Sequence, residues 1–357
     1  MRLAGNARHP RSRFTAAFAA ALAAATTTLA PSVGIAADKP VTLKLSHWVP
    51  PTHVIAKGSI ADWTDAVEKA SGGTLKFQVF PAGQLGKAES HYDLARDGIA
   101  DVVWHNPGFN AGRFPIFAAS QLPLMVGDSP SGSHALTEWY RQYEAKEMGD
   151  VKVCLAYLMY PLYIWTREKV VYPEDLKGMK IRPSSAMEAT YIKLAGGSPV
   201  PGAYPQSREM IERGVLDGTT GVPASALAFG VDKAVKYTLT VPLSQPSYVL
   251  AINKAKYASL SDAQKKALDA HCTPEAAKRF SAFQYEAEGK GIPALKARND
   301  AGREITEPSA EVMQRWQKLA PQVVEQWAKE VSARGEDPAK VLAGFRQGLE
   351  KQGALIK

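Results

Sequence analysis

Val41, Leu43 and Leu45 alternate with polar residues and run into Ser46-His47-Trp48-Val49-Pro50-Pro51, which predicts a strand ending in a loop rich in ligand-capable groups. Ile60, Trp63, Val67 and Ala70 then recur at helical spacing until Ser71-Gly72-Gly73 stops the helix. Leu75, Phe77 and Val79 alternate as a second strand. Lys87 to Asp97 reads as a second helix, and the nearly continuous apolar run from Ile99 to Trp104 as a third strand. This alternation of strand and helix predicts an α/β unit with a parallel, right-handed sheet.

A second unit of the same style follows the strand Val151 to Tyr157. It holds a strand from Met179 to Arg182, a helix through Met187, Tyr191 and Leu194, and a short helix from Gln206 to Arg213 closed by Gly214. The chain then returns through a strand from Tyr248 to Asn253. From Pro274 to Arg298 it reads as one long helix in which Pro293 is the one candidate for a kink. Ala310 to Arg334 and Pro338 to Leu349 are amphipathic, with Trp316, Leu319, Val323 and Trp327 forming a core-facing stripe. Two α/β lobes with interrupted chain paths leave a cleft between them, and ligands in such sheets sit beyond the carboxyl ends of the strands.

Charge changes the picture mainly at the N-terminus. Arg2, Arg8, Arg11 and Arg13 precede an alanine-rich apolar stretch from Phe14 to about Ala30, and Gly34 and Ala36 suit cleavage before Ala37 or just after it. This is the pattern of a secretory signal over 1–37, too short and too rich in small residues to span a membrane. Its four arginines account for half of the formal charge of +8, and the longest basic doublet of the body is Lys265-Lys266, so nucleic acid is not an expected partner. In an oxidising compartment Cys154 and Cys272 are compatible with a disulfide, but Cys154 lies in an apolar run and equally suits a buried free thiol.

The candidate chemistry centres on Arg182. It ends a short strand with no acid close by in sequence, and its planar fork of donors matches a carboxylate better than the point charge of a lysine does. There is no glycine-rich phosphate loop, no His-Glu-x-x-His helix, no nucleophile elbow and no Cys-x-x-Cys. No two histidines share i, i+4 spacing. No metal and no cofactor is therefore expected. His47, Trp48 and His53 after the first strand, and His105 and Asn106 after the third, fall where a cleft wall would lie. The competing enzymatic reading is a secreted hydrolase or lyase using His47, His53 or His105 as base near Arg182.

Six stretches together resemble the solute-binding proteins of tripartite ATP-independent periplasmic (TRAP) transporters. They are LSHWVPPTH at 45–53, VFPAGQLGK at 79–87, ARDGIAD at 95–101, GRFP at 112–115, EDLKGMKIR at 174–182 and ERGVLDG at 212–218, in the family's order. The resemblance implies a two-lobed periplasmic solute-binding fold with a long helix spanning both lobes: 38–160 plus about 245–285 in one, and 161–244 plus about 286–357 in the other. It implies a non-enzymatic capture step without cofactor, in which a monomeric receptor takes up a small organic acid and passes it to membrane permease subunits; an ABC importer or sensor system is the alternative destination. By family position Arg182 would salt-bridge the ligand carboxylate, Tyr204 would pack on or cap the ligand, and Thr219, Thr220 and Gly221 would supply hydroxyl or backbone contacts. Gln84 belongs to the loop facing the cleft, Arg167 departs from the family's usual second arginine, and Tyr163 and Trp165 suggest a ligand with an apolar or aromatic body. Hinges are expected near Tyr160 and Ser244 and along the helix after Pro274.

Overall fold

The computed structural model describes residues 38–298, 300 and 302–356; the expected export signal lies outside them. Its strands are β1 Val41–Ser46, β2 Leu75–Phe80, β3 Val102–His105, β4 Val151–Leu158, β5 Tyr163–Thr166, β6 Lys180–Arg182, β7 Ser198–Pro199, β8 Gly218–Gly221, β9 Tyr237–Leu239, β10 Ser247–Asn253 and β11 Glu304–Thr306. They form two sheets, of order β2-β1-β3-β10-β4 and β11-β9-β5-β8-β6-β7.

In the first sheet β1 pairs with β2 and β3 in parallel, as the strand and helix alternation dictates. The sheet is not wholly parallel. β10 inserts antiparallel between β3 and β4, because the chain re-enters this sheet from the opposite direction after building the second one. All seven residues of β10 are buried, as suits a central strand covered on both faces.

The two passages between the sheets lie side by side. Met159 N donates to Pro246 O (2.9 Å), Leu162 N to Ser244 O (2.9 Å) and Leu243 N to Leu162 O (3.3 Å). A third passage is the helix Pro274–Gly289, packed on the helix Ser129–Tyr140 and on β4, and also on the short helix Pro223–Ala228 that follows β8. The expected single helix to Arg298 breaks at Lys290 and resumes as Gly291–Arg298. Pro293 has no N–H for the carbonyl of Gly289, so the ladder cannot run through. A Cβ on Gly291 would lie 2.5 Å from the Pro223 side chain, so glycine permits the close approach at this break.

The amphipathic C-terminal stretch also divides, into Ala310–Gln317 and Ala320–Ser332, with Pro321 opening the second piece. Its tryptophans are core residues: Trp316 Nε1 donates to Val171 O and Trp327 Nε1 to Pro115 O. Ala320–Ser332 packs on the helix Ala186–Leu194 beside the second sheet, whereas Pro338–Lys351 packs on Ser129–Tyr140 beside the first. Cys154 of β4 is bonded to Cys272, with Cα atoms 4.5 Å apart, which resolves the open alternative in favour of a disulfide. Arg141 secures this junction by donating to the carbonyls of both cysteines.

Candidate functional site

Arg182 is the last residue of β6, in register with Thr219 of the parallel strand β8, and Pro183 turns the chain away immediately after it. The side chain is only 1% exposed. Nε donates to Gly202 O (2.9 Å) and Nη1 to Thr220 O (3.4 Å), which holds the guanidinium plane by backbone acceptors alone. Nη2 has no partner among the described residues. Among the described residues no carboxylate pairs directly with it. Glu188, buried nearby, uses one oxygen to accept from Ser184 N and Thr220 Oγ1, both at 2.6 Å. Burial lowers the pKa of Arg182 below the ordinary arginine value, opposed by Glu188, and burial raises that of Glu188. A buried guanidinium held by neutral carbonyls with one donor arm unspent is suited to a carboxylate.

Around it stands an aromatic enclosure. Trp104 lies between Trp48 (centroids 5.0 Å) and Tyr248 (4.5 Å), and Phe229 bridges Trp48 to Tyr204. The guanidinium carbon lies 5.2 Å from the Tyr204 ring centroid and 5.8 Å from that of Phe109. Trp104 is oriented by its indole N–H, which donates to Tyr157 Oη. The Trp48 indole N–H and the Tyr204 hydroxyl are buried without partners among the described residues, on two side chains that line the same enclosure as Arg182. Burial raises the pKa of Tyr204, keeping the phenol a donor. Arg182, Trp48, Trp104, Phe109, Tyr204 and Tyr248 line the cavity with Met159, Leu162, Ser184, Thr220, Gly221, Val222, His53 and Ser225, and Phe229 packs behind Trp48 and Tyr204.

Of the residues expected to bind ligand, Arg182, Tyr204, Thr220, Gly221, Trp48 and His53 line this cavity. The others do not. Trp165 is fully buried in β5 and donates its indole N–H to Gly221 O (2.9 Å), so it supports the site from behind. Tyr163 is not part of the cavity lining, and its hydroxyl donates to Tyr160 Oη (3.3 Å). Thr219 alternates to the opposite face of β8 from Thr220, and its hydroxyl donates to Arg182 O (3.2 Å). Gln84 and Arg167 are exposed, Gln84 in the loop after β2 and Arg167 past the end of β5. Asn106 caps the turn Pro107–Phe109 by accepting from Gly108 N (2.8 Å). His47 is buried under its own loop, and its pKa falls to about 4 through burial. His105 packs against Tyr92 and Phe114 instead, with its pKa lowered to about 3 by burial. His53 is the one expected histidine in the cavity wall. Nδ1 accepts from Ile55 N (3.2 Å), Nε2 meets Ser225 Oγ (3.0 Å), and burial lowers its pKa to about 4. Among the described residues no three His, Cys, Asp or Glu side chains gather as a metal site.

Tyr248, Trp104, Phe109 and Ser184 are the contributors that residue spacing did not single out. Ser184 was signalled by its place two residues beyond Arg182, and Phe109 by its turn beyond β3. Tyr248 carried no local signal, since only the return of β10 into the first sheet brings it to Trp104.

The sequence pattern of the bacterial extracellular solute-binding proteins, family 7, matches residues 45–330. A TRAP solute-binding protein of Rhodoferax ferrireducens T118, solved with copurified benzoate, is similar with a TM-score of 0.84 at 26% identity, covering 88% of this chain and 98% of that one. A marine metagenome TRAP solute-binding protein specific for aromatic acid ligands, solved with 3-hydroxybenzoate, gives 0.81 at 30% identity, with 88% and 99% covered. One from Bordetella bronchiseptica with bound (R)- and (S)-mandelate gives 0.80 at 25% identity, with 87% and 99% covered. This chain belongs to family 7 of the bacterial extracellular solute-binding proteins, the solute-binding proteins of TRAP transporters.

Proposed function

We propose that this protein is a monomeric periplasmic receptor that captures a small aromatic monocarboxylate and delivers it, chemically unchanged, to the permease subunits of a TRAP transporter. The observation that carries the reading is the pairing of one unspent guanidinium donor with a wall of stacked indole and phenol rings. A carboxylate is a planar acceptor for the former, and an aromatic body fills the latter by offset or edge contacts. Among the described residues Arg182 is the one lysine or arginine of the cavity wall, which disfavours a dicarboxylate. The benzoate, 3-hydroxybenzoate and mandelate bound by similar proteins are all of the proposed class.

Two of the three histidines of the enzymatic reading stand outside the cavity wall, and both nitrogens of the third are engaged, which leaves no free base facing a substrate. Capture is a hinge closure about the paired crossings at 159–162 and 243–246, with the ligand bridging the lobes 38–160 plus about 245–285 and 161–244 plus about 286–357. The packing of Pro338–Lys351 on Ser129–Tyr140 favours movement of that last helix with the first lobe.

A thermal-shift screen tests this reading, because a ligand that binds only the folded protein raises its melting temperature by mass action. Benzoate, hydroxybenzoates and mandelate are expected to raise Tm, with sugars, amines and aliphatic dicarboxylates giving no shift. A shift with sugars alone, unaffected by Arg182→Gln, would overturn it.

A further inference from the structure

Glu288 lies on the Pro274–Gly289 helix, fully buried, and no cation pairs with it among the described residues. A carboxylate in such a place needs donors, and it has them. Oε2 accepts from Ala224 N (2.6 Å) and Oε1 from Ser225 Oγ (3.2 Å), at the start of the helix Pro223–Ala228. Ser225 in turn meets His53 Nε2 at 3.0 Å. The direction of this chain follows from its far end. Ile55 N donates to His53 Nδ1, so that nitrogen is the acceptor and the neutral ring carries its proton on Nε2. The Nε2–H therefore donates to Ser225 Oγ, and the hydroxyl hydrogen goes to Glu288. Burial pushes the Glu288 carboxyl up to about 7 while these donors pull it down, and burial keeps His53 neutral.

The three groups come from three places: the loop after β1 of the first sheet, the helix after β8 of the second, and the helix that packs against elements of both. His53 also packs on Phe229 (5.8 Å), which touches Trp48 and Tyr204. We propose that Glu288 is a positioning residue for ligand capture, acting through Ser225 to fix the His53 tautomer and so to latch the two sides of the cleft together behind the aromatic wall. The inference rests on the reading of the cleft as an aromatic-acid site. A glutamine at 288 cannot replace the carboxylate. Its carbonyl can serve Ala224 N only by turning the amide N–H toward Ser225, so the hydroxyl either accepts from both neighbours and leaves its own hydrogen unpaired, or sends it to His53 Nε2 and moves the ring proton to Nδ1, against the Ile55 N–H.

The test is titration calorimetry with benzoate and 3-hydroxybenzoate at pH 8, together with ¹⁵N-histidine NMR of the saturated protein, on the wild type, Glu288→Gln, Ser225→Ala and the double variant. The latch predicts an Nε2–H tautomer for His53 in the wild type and roughly tenfold weaker binding for each single variant. Once Ser225→Ala is present, adding Glu288→Gln should cost less than twofold, since the two act through one chain. If Glu288→Gln does not fold, Ser225→Ala carries the same tenfold expectation. Single variants that bind as tightly as the wild type, or an Nδ1–H tautomer for His53 in the wild type, would overturn the latch while leaving the aromatic-acid reading standing. A wild type that binds neither acid overturns that reading and the latch with it.

Discussion

Trp104 and Tyr248 lie face to face, with ring centroids 4.5 Å apart and planes within 2° of parallel. They belong to neighbouring antiparallel strands whose register sets Leu250 opposite Trp104, so Tyr248 is the diagonal neighbour on the same face of the sheet. The sheet thus builds the flat wall of the cleft from two residues 144 positions apart in sequence numbering, one from the first pass of the chain and one from its return.

Removing the phenol ring should separate aromatic from aliphatic recognition. Tyr248→Leu keeps the strand apolar but forfeits ring stacking, of order 0.5 to 1.5 kcal/mol beyond area burial. Affinity for benzoate is expected to fall about tenfold, with little change for an aliphatic acid of the same charge, as read by calorimetry. Equal losses for both acids would remove Tyr248 from the specificity wall.

Gly221 is where the site tolerates least added volume. A Cβ there would come within 2.6 Å of Tyr204 Cε2, and Trp165 already holds the Gly221 carbonyl from the other side. Overpacking of this kind typically costs about 1 to 3 kcal/mol. Gly221→Ala should weaken ligand binding about tenfold or more, and Tyr204→Phe, which removes the nearest oxygen, should recover part of that loss in the double variant. Unchanged binding in Gly221→Ala would show that Tyr204 moves freely.

The disulfide joins residues separated by 118 positions, and in the chain-entropy account a loop of about that size contributes roughly 4 to 5 kcal/mol by restricting the unfolded chain. Urea unfolding of Cys154→Ala with Cys272→Ala should show a loss of about 2 to 5 kcal/mol, with ligand affinity nearly unchanged because neither residue touches the cavity. A loss below about 1 kcal/mol would mean the bond constrains little.

His105 gives a pH dependence of defined sign. Its folded pKa is depressed from 6.5 to about 3 by burial, with the charges of His91 and Arg113 adding to the effect. The unfolded chain therefore binds the extra proton first, so this contribution is fully present above pH 6.5 and is lost as pH falls toward 3, at up to about 1.4 kcal/mol per unit. Between pH 7 and pH 5 the wild type should lose about 2 kcal/mol more unfolding free energy than His105→Gln. Parallel pH profiles for the two proteins would contradict the assignment.

Much of this was legible from local pattern, and what was not has a common cause. Periodicity and turn residues located β1, β2 and the helices around Trp63 and Tyr191, because those depend on neighbours three or four positions away. A strand-end guanidinium without a local acid is by itself common, and the place of Arg182 in the cavity wall was legible only together with the stretch EDLKGMKIR at 174–182 and the five others in the family's order. By contrast, Trp165 and Thr219 were expected in the cavity and face away from it, because alternation on β5 and β8 is decided by which face each sheet presents, and a short strand leaves that phase open. Tyr248 and Glu288 were missed because their partners arrive from other passes of the chain. The breaks at Lys290 and before Ala320 illustrate the same point for helices, where proline set the boundary against an otherwise continuous pattern.

The guanidinium of Arg182 is the proposed anchor for the ligand carboxylate. Truncating one partner of a buried charged pair typically costs about 3 to 5 kcal/mol, or two to four decades of affinity. The direct measurement is calorimetric titration of benzoate and 3-hydroxybenzoate into the wild type, Arg182→Gln and Arg182→Lys. Binding to the wild type, a loss of at least a hundredfold in Arg182→Gln and incomplete recovery in Arg182→Lys is the predicted result; retention of wild-type affinity within threefold in Arg182→Gln would contradict it.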